Sequence, residues 1–282
     1  MITRKDYNRE LVDAALAVLL EIVNVLGEYR NGIALVGGWV PEFLLPDSKE
    51  KHVGSIDVDL ALDHHVLREP GYQTICDRLV AAGYVQHGEQ PFIFYRTFPV
   101  GGRNMTVEVD FLAKEYEGSS KRHRTQKIQD IRARKARGCD LVFEMNQEVR
   151  ISGTRPDGRK DVAMIRIPTI APFLVMKGMA LADRNKEKDS WDIYFCVKNY
   201  PGTREELVEE CRRHLAHKLV QEGLTHIAMK FASPGHVGPR AVADFEGVTD
   251  PQERERLQRD AYERVRYLLE NLGLVDSDTG RP

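Results

Sequence analysis

The chain has 282 residues, of which 42% are hydrophobic and 30% charged, and its formal net charge is −2. These values are typical of a globular protein, and no apolar stretch reaches the length of a membrane-spanning helix. The N-terminal residues lack the layout of a signal peptide, and the four cysteines show no CxxC spacing. We therefore expect a cytoplasmic protein with reduced thiols and with neither a disulfide framework nor a zinc site.

The first part of the chain is predicted to alternate helices with strands. An amphipathic helix is expected at about 5–28, where apolar residues recur at helical spacing. A strand at 33–36 ends in Gly37-Gly38, and the next helix is expected to begin near Trp39. The remaining elements predicted here are strands at 55–62, 84–86, 92–98 and 104–112 and a helix at 71–82.

The second part of the chain is predicted to end in helices. Strands are expected at 141–145, 149–152 and 162–167. One long helix follows at 171–197, and Thr203 and Glu206 then have the spacing of a capping box. From there the pattern is helical, apart from a predicted loop at 233–247.

This order of elements predicts an α/β (α+β) fold with a mixed sheet and a C-terminal helical domain. We place a catalytic domain at residues 1–200, with the N-terminal helix packed on it. The helical C-terminal domain is expected to occupy residues 201–282.

Carboxylates recur at alternate positions of two predicted strands. Asp57 and Asp59 flank an apolar residue, so they share one strand face and lie about 6.6 Å apart along the chain. Glu108 and Asp110 have the same spacing. If the two strands are neighbours, these carboxylates converge, and they repel one another unless cations neutralise them. Two Mg²⁺ ions would do so and would position an in-line attack on an α-phosphate.

The glycine pair supplies a complementary feature. Gly37 and Gly38 would let backbone N–H groups approach phosphate oxygens, and a helix that begins there favours negative charge. Each pattern alone also occurs in tight turns or exposed edge strands, so their order along the chain is what favours a functional interpretation.

Charged residues recur in the predicted helix at 171–197. In an unbroken helix, Lys177, Arg184, Lys188 and Asp192 fall on one face. This stripe predicts a triphosphate clamp, with Lys177 neutralising the β- and γ-phosphates and Arg184 or Lys188 making fork-like contacts. The alternative is a solvated face in which Lys188 and Asp192 pair at i,i+4.

Three of these motifs together resemble the signature of a known superfamily. Val36-Gly37-Gly38, the stretch 55–60 and the triplet 109–111 are similar to the motifs of DNA polymerase β-like nucleotidyltransferases. Lys177, Ala180, Leu181, Arg184, Lys188, Asp189 and Asp192 are similar to the helical motif of the AbiEii-type branch, which contains toxins of toxin–antitoxin systems. The resemblance covers roughly residues 30–200, and bulky Trp39 departs from the smaller residue that often follows the glycine pair.

The resemblance implies a polymerase β-like fold and transfer of a nucleoside monophosphate from an NTP, with two Mg²⁺ ions as cofactor. It implies Asp57, Asp59 and Asp110 as metal ligands and Gly37 and Gly38 as phosphate contacts. It also implies RNA or tRNA, or a protein hydroxyl, as acceptor and an antitoxin as partner.

A dense basic run occupies 121–137, and the segment 121–200 has 18 Lys and Arg against 10 Asp and Glu. The cations of the run are Lys121, Arg122, Arg124, Lys127, Arg132, Arg134, Lys135 and Arg137. This excess predicts contacts with RNA phosphates or with an acidic protein such as an antitoxin. The run has no aromatic residue on which bases could stack.

Three other functions fit parts of the sequence. The glycine and D-x-D motifs also resemble those of CCA-adding enzymes and poly(A) polymerases, whose Arg-Asp is replaced here by Pro41-Glu42. An aminoglycoside-type nucleotidyltransferase would require an acidic pocket, which the basic middle segment argues against. The third alternative, a non-catalytic module that binds a nucleotide or a partner, is disfavoured by the intact set of Asp57, Asp59 and Asp110.

Overall fold

The computed structural model describes residues 3–67, 73–114 and 125–276. Contacts divide the chain into two compact units. The sheet unit comprises Tyr7–Phe43 and Gly54–Thr169, and the helical unit comprises Met1–Asp6, Leu44–Val53 and Ile170–Pro282. This division places the residues from 170 to 200 with the helices, whereas the sequence-based boundary lies at residue 200.

The sheet unit is built on strands joined by short helices. Its elements are α1 (Arg9–Val25), β1 (Ile33–Val36), α2 (Val40–Leu44), β2 (Asp57–Leu62), α3 (Ile75–Ala81), β3 (Tyr84–Gln86), β4 (Ile93–Val100), β5 (Arg103–Lys114), β6 (Thr125–Ile128), β7 (Ile131–Ala136), α4 (Leu141–Glu144), β8 (Asn146–Thr154) and β9 (Lys160–Pro168). Helix α1 packs on β5, β8 and β9. Within the described residues, no helix is both long and apolar enough to cross a membrane.

The nine strands of the described chain form one mixed sheet. Its main path runs β3-β4-β5-β2-β1-β9-β8, and the hairpin of β6 and β7 extends it by pairing β7 with the end of β5. Strand β1 is antiparallel to β2, while β2 is parallel to β5. Val58, Leu60 and Phe111 are at most 1% exposed and belong to the core. This α/β arrangement with helices after it confirms the predicted class of fold.

The helical unit contains the C-terminal helices. They are α5 (Ile170–Asp183), α6 (Glu187–Lys198), α7 (Arg204–Arg212), α8 (Lys218–Lys230), α9 (Val237–Glu246) and α10 (Pro251–Asn271). The capping box of Thr203 and Glu206 is present at the start of α7, as predicted. All four cysteines, Cys76, Cys139, Cys196 and Cys211, are free thiols in the structure.

Two predicted elements in the second part of the chain are wrong. The strand expected at 141–145 is the short helix α4, whose Leu141 and Val142 are buried. The loop expected at 233–247 contains α9. Glycine and proline in this segment suggested a loop, but Pro239 lies in the first turn of α9 and Gly247 ends the helix with a φ of +69°. Both residues are common at these positions of a helix.

The predicted single helix over 171–197 is also wrong. The chain leaves the helical conformation at residues 184–186, and Lys186 is extended, with φ −87° and ψ 127°. Apolar periodicity continues across the break because each of the two helices buries its own apolar face, so periodicity alone does not reveal it. The argument that placed Lys177, Arg184 and Asp192 on one helical face therefore fails.

Candidate functional site

The carboxylates predicted to converge lie on neighbouring strands. In the parallel pair of β2 and β5, Asp57 is opposite Glu108 and Asp59 is opposite Asp110. Partners on adjacent strands lie about 4.8 Å apart and project to the same face. We call Asp57, Asp59, Glu108 and Asp110 the acidic cluster. The expectation that the two strands are neighbours is thus confirmed.

The glycine turn packs directly against this cluster. Gly37 has a φ of +73°, and a Cβ atom placed on it would lie 2.0 Å from Oδ2 of Asp59. Gly38 is buried in the same 3-10 turn, Gly37–Trp39. Because β1 is antiparallel to β2, Val36 pairs with Asp59, and the turn emerges beside the carboxylates. Only glycine fits at position 37, for reasons of both backbone conformation and space.

The helix behind the glycine turn is shorter than predicted. After the 3-10 turn, α2 has only five residues. A helix of little more than one turn has a weak dipole, so the predicted contribution of its N-terminus to phosphate binding loses its basis. The backbone of the glycine pair itself remains available for the predicted phosphate contact.

Trp39, which departs from the family pattern, has a structural role in the turn. Its side chain is 2% exposed. The indole Nε1–H donates to the backbone carbonyl of Asp57 at 2.9 Å. On the same residue, Oδ1 of Asp57 accepts from the hydroxyl of Ser55 at 2.5 Å. Trp39 and Ser55 therefore fix the first residue of β2 from two sides.

Asp110 is the most buried member of the acidic cluster, with 7% exposure. Burial raises its pKa to about 6 against the opposing effect of Arg134, and the charges of Glu108 and Asp57 raise it further. Nη2 of Arg134 donates to Oδ2 of Asp110 at 2.5 Å. The other oxygen, Oδ1, is buried and has no hydrogen-bond partner among the described residues. Such an atom requires a ligand or a water molecule.

The acidic cluster matches Mg²⁺ in ligand type, because Mg²⁺ prefers oxygen ligands. The buried, unsatisfied Oδ1 of Asp110 also fits a cation ligand. However, the described residues contain no set of three or more His, Cys, Asp or Glu side chains already arranged to hold a metal. Arg134 supplies the positive charge on one oxygen of Asp110. The metal roles of Asp57, Asp59 and Asp110 therefore stay predictions, and binding would require these side chains to adjust.

The predicted phosphate clamp lies in the helical unit and forms an ion-pair cluster. Nζ of Lys177 lies 2.8 Å from Asp189 and 2.7 Å from Asp192. Lys188 pairs with Asp192 at 3.0 Å, and Arg184 pairs with Asp189 at 3.0 Å. The break between α5 and α6 brings these groups together, with Asp189 between Lys177 and Arg184.

Lys177 is strongly held in this cluster. Although burial lowers the pKa of its ammonium group, the charges of Asp189 and Asp192 together raise it above its ordinary value. Lys177 is 7% exposed. These ion pairs compensate the burial of the Lys177 charge without any ligand. The predicted roles of Lys177, Arg184, Lys188 and Asp192 as phosphate contacts stay predictions.

His52 completes the cluster, although nothing in its local sequence indicates this. It lies on the segment Leu44–Val53, and its Nε2 is 2.9 Å from Oδ1 of Asp192. Burial, with the charge of Lys188, lowers the pKa of His52 to about 4 against the effect of Asp192. The ring is therefore neutral near pH 7 and donates through Nε2 to the ionised Asp192. Sequence reasoning missed it because a lone histidine has no distinctive spacing.

The basic run is a β-hairpin in its described part. Lys127 on β6 and Arg132 on β7 are directly opposite each other, and both are exposed. Like charges opposite each other on a sheet are unfavourable, and an anion would relieve the repulsion. Three further cations of the run are described, namely Arg134, Lys135 and Arg137, whereas Lys121, Arg122 and Arg124 lie outside the described residues.

The described sheet unit is thus a mixed α/β fold that presents an acidic cluster on two parallel strands, beside a tight glycine turn. Comparisons with models of known families, with curated proteins and with solved structures give no match to this chain.

Proposed function

We propose that the chain is a metal-dependent nucleotidyltransferase that transfers a nucleoside monophosphate from an NTP to an acceptor hydroxyl. The observation that carries the proposal is the register of the acidic cluster beside the glycine turn. Asp59 lies opposite Asp110 on the adjacent parallel strand, and Gly37 lies against the Asp59 carboxylate. One side of this arrangement suits cations, and the other suits phosphate oxygens. A polymerase β-like fold of the AbiEii type, with a toxin role and an antitoxin partner, is the finer form of this proposal.

Asp57, Asp59 and Asp110 are the residues that would hold two Mg²⁺ ions, which neutralise the triphosphate and activate the acceptor hydroxyl when bound. In the transfer, the acceptor oxygen bonds to the α-phosphorus and the bond to the bridging oxygen breaks, so that pyrophosphate leaves. The hydroxyl proton passes to a base, a role that Asp110 would take in place of ligating the second ion. Ser55 orients Asp57 through the hydrogen bond at 2.5 Å, which keeps its carboxylate in one rotamer.

RNA is the acceptor that the charge distribution favours. The exposed pair of Lys127 and Arg132 lies on the hairpin of β6 and β7, and β7 also pairs with β5, the strand of Asp110. An RNA backbone bound there would neutralise both cations. We expect RNA affinity to fall with salt, and Lys127→Gln/Arg132→Gln to reduce the slope of log K against log salt by about 1–2.

The proposal is tested by incubating the full chain with Mg²⁺ and each of the four α-labelled NTPs, with and without total tRNA. The variant Asp57→Asn/Asp59→Asn is compared with Glu148→Gln, which removes an exposed carboxylate from β8, a strand separated from β2 by β1 and β9. Label on RNA in the wild type and in Glu148→Gln, but not in the double variant, is the expected result.

Label on the protein itself or on an added protein would keep the reaction type and replace the acceptor. Circular dichroism of the double variant shows whether it is folded. Absence of any labelled product, together with absence of Mg²⁺-dependent NTP binding by the folded wild type, would overturn the proposal.

A further inference from the structure

A cavity of about 450 Å³ has all its lining residues in the helical unit. It is enclosed by the end of α5, the start of α6, the end of α8 and the first turns of α9. Its volume falls in the range of sites for small molecules. None of the residues assigned above to the acidic cluster or to the ion-pair cluster lines it.

Three cations line this cavity without a carboxylate partner among the described residues: Lys186, Lys230 and Arg240. Lys230 is positioned by a hydrogen bond from its Nζ to Oδ1 of Asn185, at 2.9 Å. Of the two carboxylates in the lining, that of Asp244 is already bound by Arg254. The wall therefore carries an excess of positive charge.

Ser190 provides an independent indication of a ligand. It lies on α6 and lines the cavity, yet it is only 2% exposed. No hydrogen bond of its hydroxyl is found within the described part of the chain, and its oxygen is not among the fully buried side-chain atoms that lack a partner. The hydroxyl is therefore open to the cavity, where a ligand can reach it. An oxygen atom of a bound ligand would satisfy it.

The backbone around the cavity adds donors for an anion. Helices α6 and α9 both begin at its wall, and neither N-cap residue, Lys186 or His236, makes a side-chain capping bond. The first N–H groups of a helix lack partners within the helix, and they favour negative charge. Together with the cations and the free serine hydroxyl, these donors match the oxygen atoms of a phosphate group.

We propose that this cavity is a binding site for a phosphate group, either free or as part of a larger molecule. The cations Lys230 and Arg240 bind its charge, and Ser190 donates a hydrogen bond to one of its oxygens. The site lies in the helical unit alone, so it does not depend on the proposed nucleotidyl transfer.

The test measures binding of inorganic phosphate, pyrophosphate and AMP to the full chain by calorimetry. EDTA is present so that metal-dependent binding elsewhere does not contribute. The variant Lys230→Gln/Arg240→Gln is expected to lower the affinity at least roughly tenfold, and Ser190→Ala to lower it roughly threefold. Lys218→Gln is the matched control, since it removes an exposed cation from the other end of α8, and it is expected to leave binding unchanged.

Equal affinities for phosphate and AMP would identify the phosphate group alone as the ligand, whereas tighter binding of AMP would identify a nucleotide. Two results would overturn the proposal. One is the absence of saturable binding of all three probes to the wild type. The other is binding that Ser190→Ala and the double variant both leave unchanged while their thermal unfolding matches that of the wild type.

Discussion

Replacement of Asp192 with asparagine is expected to destabilise the helical unit strongly, although it changes the side-chain volume very little. Asp192 has no exposed surface. Its carboxylate lies 2.7 Å from Lys177 and 3.0 Å from Lys188, and it accepts a hydrogen bond from His52 at 2.9 Å. The substitution removes one negative charge from a cluster that contains two buried ammonium groups.

The size of the stability loss follows from the charges that remain buried in the variant. In the variant, Asp189 still pairs with Lys177 and Arg184, whereas the ammonium groups of Lys177 and Lys188 both lose the negative charge of Asp192. Removing one partner from a buried ion pair costs about 3–5 kcal/mol, because the other charge stays buried without compensation. We expect a loss in this range. Asp189→Asn should cost less, about 1–3 kcal/mol, since the side chain of Arg184 is 42% exposed and water can solvate it.

Urea unfolding followed by tryptophan fluorescence measures this loss. The chain has two tryptophans, so a Trp39→Phe background leaves Trp191 as the reporter of the helical unit. Trp191 is 1% exposed and packs against Phe195 and Phe245 with ring centroids 5.2 and 4.9 Å away. Asp183→Asn, at an exposed position of the same unit, is the control and should change stability by less than about 0.5 kcal/mol.

The pH dependence gives a second test of the same reasoning. In the wild type, the pKa of Lys177 is raised, so its stabilising contribution is complete below the unfolded pKa and is lost only above it. In Asp192→Asn, one negative charge that opposes the effect of burial on the lysine pKa values is lost, so a buried lysine can lose its proton at a lower pH. Its deprotonation removes the cost of burying an unpaired charge. The difference in unfolding free energy between the wild type and the variant should therefore become smaller toward pH 10. A cost below about 1 kcal/mol at pH 7, equal to that of Asp183→Asn, would refute the buried, paired cluster.

Three further predictions concern single side chains. Burial lowers the pKa of His52 to about 4, so its ring takes up a proton near pH 6.5 only when the chain unfolds. The free energy of unfolding should therefore fall by up to about 3 kcal/mol between pH 7 and pH 4, and His52→Gln should lack this loss. Equal pH profiles of the two proteins in urea unfolding would contradict the prediction. Gly37→Ala should lower the thermal unfolding temperature more than Gly102→Ala. Both glycines have positive φ, but only at Gly37 does a carboxylate, that of Asp59, occupy the space of the new methyl group. Equal shifts of the unfolding temperature would be inconsistent with this close approach. Arg134→Gln should tighten Mg²⁺ binding roughly tenfold in calorimetry, because the guanidinium of Arg134 occupies the carboxylate of Asp110 in the wild type. Weaker Mg²⁺ binding by the variant would indicate instead that Arg134 supports the cation site.

Much of the acidic cluster could be predicted from local patterns. A strand has a period of two, so the spacing of Asp57 and Asp59 places them on one face wherever the strand lies. Gly37 precedes them in the order that a strand, a turn and a returning strand require, and the capping box at Thr203 is likewise a local interaction. These features depend on neighbours within a few residues, and they survive any arrangement of the remaining chain.

The partners of these residues were decided by the tertiary structure. Arg134 reaches Asp110 because β7 pairs with the end of β5, and His52 reaches Asp192 across 140 positions of sequence. The break before α6 is also tertiary in origin, since the same apolar periodicity suits one helix or two, and only the turn at 184–186 lets Asp189 bind Lys177. Sequence periodicity specifies which face of an element is buried, whereas strand pairing and the burial of distant charges select the residues that meet there.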